Sequence, residues 1–161
     1  MHAAVITALL LLGLPSAPAS GQTPRDVSEF LRARWLASAA YTRAIAEQMP
    51  AADYRFRSSP EQMTFGEQLL HIAEQDVSIF REMGAQIEFA KPSPVKGEVL
   101  RTLDKVKEDG LQLLARFAAD PHGSLDTLNG LLLALDHTTH HRGQLVVYLR
   151  LKGIVPAEYR R

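Results

Sequence analysis

The chain has 161 residues, a length suited to one domain, and its 18 Lys plus Arg balance its 18 Asp plus Glu. A formal net charge of zero leaves no electrostatic footprint for nucleic acid or an anionic membrane surface. An apolar fraction of 46% excludes a disordered chain, and the absence of cysteine excludes a thiol nucleophile, a thiolate metal site and a disulfide framework.

In chain order, the first element is an apolar run, Ala3–Leu14 (AAVITALLLLGL), followed by Pro15 and SAPASG. It is shorter than the roughly 20 residues that span a bilayer. It reads as the apolar core of an export signal, with Ala17-Pro18-Ala19 as the A-x-A cleavage pattern, although no Lys or Arg precedes it. The expectation is a signal at residues 1–19, a mature domain at 20–161 and a periplasmic or secreted location.

The remainder reads as helices. Thr23-Pro24 caps and opens a first helix to Gln48, with Phe30, Leu31, Trp35, Leu36, Ala39 and Ile45 on its apolar stripe and Pro50 beyond its end. Residues 51–59 form a connector. Thr64-Phe65-Gly66-Glu67 is a capping box, and the second helix runs to about Met83, with Gly84 as its stop. A loop with Pro92 and Pro94 leads to a third helix over about Val95–Ala118, whose Gly97 and Gly110 weaken its helical pattern. The turn signals of DPHGS at 120–124 separate it from a fourth helix over about Leu125–Lys152, with Gly153 and Pro156 past its end. These elements predict an all-α antiparallel-type four-helix bundle. The long break between helices two and three leaves room for a crossover.

The fourth helix is apolar nearly all round, which predicts burial. One stripe interrupts it. At about 100° per residue, Gly130, His137, His141, Gln144 and Tyr148 fall within about 40° of His137. Buried polar side chains need partners. Two histidines at i and i+4 can aim two imidazole nitrogens at one ion, although a core histidine bonded to a backbone carbonyl is commoner. His140 lies off this pair and reads as structural. A third ligand must come from elsewhere, and His71 on helix two is the best placed. The wheel of helix two nevertheless sets His71 opposite Leu69, among Glu67, Glu74, Ser78 and Glu82, on the side expected to face solvent.

Three stretches carry a family resemblance: YRFRSSPEQMTFGEQ at 54–68, QLLHIAEQD at 68–76 and DHTTHHRGQLVVYLRLKGIVP at 136–156. Together they resemble the DinB-like four-helix metalloenzymes, over essentially the whole chain after the signal. The resemblance implies a divalent metal ion held by His71, His137 and His141, with His71 turned into a cleft at one end of the bundle. Gly143 would then permit close approach of another backbone. Gln144 and Tyr148, on the ligand face, are candidates for supporting hydrogen bonds, with ordinary inter-helix bonding as the alternative. Glu67 and Glu74, one turn either side of His71, are candidates for a base or a supporting role, with solvated carboxylates as the commoner alternative.

Three neutral imidazoles leave coordination positions open, as in a catalytic site. Zinc, nickel and iron all suit imidazole. Thr138 and Thr139 between the paired histidines exclude an HExxH protease motif. The expectation is a metal-dependent enzyme acting on a small molecule, a hydrolase or, as the resemblance implies, a thiol-dependent transferase. The alternatives are a non-catalytic metal- or ligand-binding bundle and a structural dimer. The apolar surface of helix four would permit a homodimer. An export signal weighs against the thiol reaction, because low-molecular-weight thiols are cytosolic.

Overall fold

The computed structural model describes residues 24–119 and 125–159. The segment expected to be an export signal, the expected cap Thr23 and residues 120–124, expected to turn, lie outside the described residues, which hold four helices and no strand: α1 (Pro24–Gln48), α2 (Phe65–Glu82), α3 (Lys96–Ala119) and α4 (Leu125–Leu151). A short 3-10 helix, Ala51–Arg55, occupies the connector that the sequence left without structure. No helix among the described residues is long and apolar enough to cross a membrane.

Local chemistry sets the helix ends. Thr64 and Glu67 exchange both bonds of the capping box, which satisfies two amides that an α-helix leaves without partners. Gly84 and Gly153 take the left-handed conformation, with φ of 85° and 73°, and close α2 and α4. Ala85 N–H reaches back to Phe80 O, and Ile154 N–H to Leu149 O.

The helices pack in two antiparallel pairs, α1 with α3 and α2 with α4. Trp35 Nε1 donates to Lys107 O at 2.9 Å, and Lys96 Nζ donates to Met49 O at the other end of the first pair. Gly110 gives Trp35 its space, because a Cβ there would sit 2.5 Å from the indole. The glycine that weakens α3 in sequence is therefore a packing requirement.

A simple antiparallel bundle is not what forms. The C-termini of α1 and α4 share one end, where Gln48 Nε2 donates to Val155 O, so these two helices run parallel, as do α2 and α3. Residues between Glu82 and Lys96 make the crossover. They return along α2 through Arg81 donating to Ile87 O, the Lys91–Glu74 ion pair and Pro94 beside Gly66. A Cβ on Gly66 would lie 2.4 Å from Pro94 O, so the strap seats only on a glycine.

The expectation for α4 needs correction. Leu132, Leu133, Val147 and Leu151 are about half exposed and Leu125 more so. Among the described helices, α1 and α2 make the main contacts with α4, and no described residue closes its outer apolar face. Gly143 lies on that face with nothing within 4 Å of a Cβ built there. Among the described residues, no backbone approaches it.

Candidate metal centre

The register between α2 and α4 builds the site. Descending α2, Gln68 faces His141 and Gln144, His71 faces His137, Asp76 faces Thr138, and Met83 packs on Gly130. His71 thus points at α4 rather than into solvent. The wheel assigned one buried face to α2, but α3 and α4 both pack on it, and the buried arc extends to the edge where His71 sits.

His71, His137 and His141 each offer one nitrogen within 4.8 Å of the others. Their ring centroids are 4.5 to 5.1 Å apart. His71 Nε2 and His137 Nε2 lie 3.3 Å apart, close to the separation of about 3.4 Å for two imidazole nitrogens on one tetrahedral zinc. Burial lowers the pKa of all three histidines, that of His141 to about 4. Lys91 lowers His71 further, and the neighbouring imidazoles lower His137 and His141. All three are therefore neutral near pH 7, the form that ligates. The donor set, the spacing and the protonation state fit a divalent ion.

A chain of amides backs the site. Gln68, fully buried, has its amide 3.2 Å from His141 Nδ1 and in short contact with the Gln144 amide, which lies 2.9 Å from His140 Nε2. With Nδ1 on Gln68, Nε2 of His141 is the nitrogen left for an ion. Ligation there requires the proton on Nδ1, donated to a Gln68 oxygen. The Gln144 N–H then donates to the same oxygen, and His140 Nε2–H donates to the Gln144 oxygen. A half turn of each amide gives this sense at the same contacts. The chain then fixes the His141 tautomer and ring, the usual task of a ligand's hydrogen-bond partner. Gln68 escaped the sequence reading because it precedes Leu69 and Leu70 and carries no distinctive spacing. Only the α2–α4 register reveals it.

The other candidates are engaged elsewhere. Tyr148 donates to Met63 O at 2.9 Å, tying α4 to the start of α2. Glu67 closes the capping box and pairs with Arg57, and Glu74 pairs with Lys91 at 2.7 Å. Both carboxylates stand at the exposed rim of α2. His137 Nδ1 is buried without a hydrogen-bond partner among the described residues.

One buried carboxylate was not foreseen. Asp76 is 4% exposed. It accepts from Thr138 Oγ1 and lines a cavity of about 20 Å³ with Ser38, Thr42 and Trp35, room for about one water. Burial pushes its carboxyl well above the ordinary range, against the pull of Thr138 and Arg142.

Residues 34–145 match the DinB superfamily. A DinB-like protein from Bacillus cereus ATCC 10987 has a similar solved structure, with a TM-score of 0.71 at 18% identity over 82% of this chain and 97% of that one. The DinB-like YjoA of Bacillus subtilis follows at 0.61, with 19% identity over 82% and 99%. A DinB-family protein of Exiguobacterium sibiricum 255-15 gives 0.58, with 23% identity over 80% and 93%. At these identities the likeness establishes the fold. Curated proteins give no match.

Proposed function

We propose a function for this chain, which belongs to the DinB superfamily: it binds a divalent metal ion through His71, His137 and His141 and acts as a metal-dependent enzyme. The carrying observation is the convergence of three imidazole nitrogens within 4.8 Å from two helices. When bound, zinc, nickel or iron would supply Lewis acidity toward a small-molecule substrate.

The chain's own residues do the remaining work. Burial holds the imidazoles neutral. Gln68 and Gln144 orient His141. His71 and His137 are only partly buried, so the ligand set is reachable from solvent. Three protein ligands and solvent access favour an open site over a closed structural one. The export reading of residues 1–19 favours hydrolysis over thiol transfer.

Cobalt(II) substitution tests this. The expected result is a stoichiometric visible spectrum that changes on adding azide or a small thiol and is absent from His71→Ala. A cobalt spectrum indifferent to every added ligand would mean a closed, non-catalytic site.

A further inference from the structure

Arg142 directly follows the ligand His141, and the metal centre makes no use of it. Its side chain reaches α1 rather than α2. Leu135, Thr139 and Arg142 share one face of α4 at i, i+4 and i+7, and Arg34, Ser38 and Tyr41 share one face of α1 at the same spacing. These faces meet around a cavity of about 30 Å³, which Tyr159 of the C-terminal segment also lines. Tyr159 meets Tyr41 edge-on there, ring centroids 5.2 Å apart.

Two observations say what the cavity holds. The first is a buried cation whose contacts are all neutral. Arg142 is 5% exposed. Its Nη1 donates to Ser38 O, Ser38 Oγ and Thr42 Oγ1 at 3.0, 2.7 and 3.5 Å, and its Nη2 donates to Thr139 Oγ1 at 2.9 Å. Its guanidinium carbon lies 5.3 Å from the centre of the Tyr41 ring. No described carboxylate forms an ion pair with it. Asp76 pulls on it from a distance, and burial drives Asp76 itself toward the neutral acid. A buried charge is costly unless it is compensated. The second observation is Arg34. It brings a like charge to the same cavity and forms no ion pair with a described residue either. Two guanidinium groups on one cavity repel each other unless an anion lies between them. The volume suits about one or two waters, the size of a halide or of the end of a carboxylate.

We propose that this cavity between α1 and α4 binds one small anion, a halide or the carboxylate of a small molecule, between Arg142 and Arg34 and separately from the metal centre. Chloride NMR line broadening tests it at constant ionic strength, on the full chain and on His71→Ala, with circular dichroism as a control for folding. Both proteins should broaden the chloride line, and formate, whose planar carboxylate suits the guanidinium fork, should reverse the broadening. Arg34→Ala, at an exposed position, should weaken binding by about tenfold, the usual scale for one hydrogen bond to a charged group. Arg142→Met should abolish it. Arg142→Lys keeps the charge without the fork and should retain weaker binding, which guards against misreading a variant that fails to fold. Absence of broadening overturns the proposal, whether water or residues outside those described then fill the cavity. Broadening lost in His71→Ala would place the anion on the metal centre and overturn it equally. So would broadening that formate does not reverse, or that Arg34→Ala leaves unchanged.

Discussion

The two antiparallel pairs are held together by different chemistry. Between α1 and α3 the interior contact is apolar, built from Leu31, Trp35, Val106, Leu113 and Leu114, with the Arg43–Asp104 pair at its edge. Trp35 lies over Gly110 of α3 and meets Phe80 of α2 edge-on, ring centroids 5.3 Å apart. Between α2 and α4 a ladder of polar side chains replaces this, from Gln68–Gln144 through His71–His137 to Asp76–Thr138. A buried polar ladder contributes less stability than well-packed hydrophobes of the same volume. The first pair is scaffold, and the second gives up packing to present imidazoles.

That contrast breaks most visibly at the scaffold. Trp35→Ala should cost about 3–5 kcal/mol, the usual loss for a large buried aromatic, read as a shift in the urea midpoint. His71→Ala should leave the midpoint of the metal-free protein within about 1 kcal/mol of the parent while abolishing metal uptake. Equal destabilisation by both variants would erase the distinction between the pairs.

Gln68→Leu sharpens it. Losing the partner of a ligating histidine typically lowers metal affinity about 10–100-fold, and a titration of zinc against a chelator should show a loss of that order, with little change in melting temperature. An unchanged affinity would make the amide chain ordinary inter-helix bonding.

Smaller effects follow from pH. His141 has its folded pKa depressed from 6.5 to about 4, so the folded state favours the neutral ring. Its contribution to the metal-free protein is present above about pH 6.5 and is lost as pH falls toward 4. The downward shifts of His71 and His137 act in the same direction. Asp76 behaves oppositely in mechanism. Its folded pKa is raised, so folding favours the protonated acid, and stability is full below about pH 3.9 and declines as pH rises through the folded value. Asp76→Asn should remove that decline in urea titrations across pH. An unchanged slope would mean that Asp76 folds as a fully compensated carboxylate.

Much of the architecture was legible because helix ends are chemical. Thr64, Glu67, Gly84, Gly153 and the prolines set boundaries that the structure reproduces to within a residue or two. The path of the chain was less so. Nothing local in residues 83–95 requires a strap along α2, and the parallel pairings follow from it. In the site, the i, i+4 spacing placed His137 and His141 on one face. The side of α2 that carries His71 depends on two neighbouring helices at once, which one wheel cannot show. Gln68 and Asp76 were illegible for the same reason. Glu67 was read partly right, since its capping role is local.

The most direct measurement is elemental analysis of the purified protein beside His71→Ala and His137→Ala, each checked for helix content. Close to one divalent ion per chain is expected, lost in both variants without loss of the fold. A protein that takes up no zinc, nickel or iron, or a His71→Ala variant that keeps its ion, would contradict a centre shared by α2 and α4.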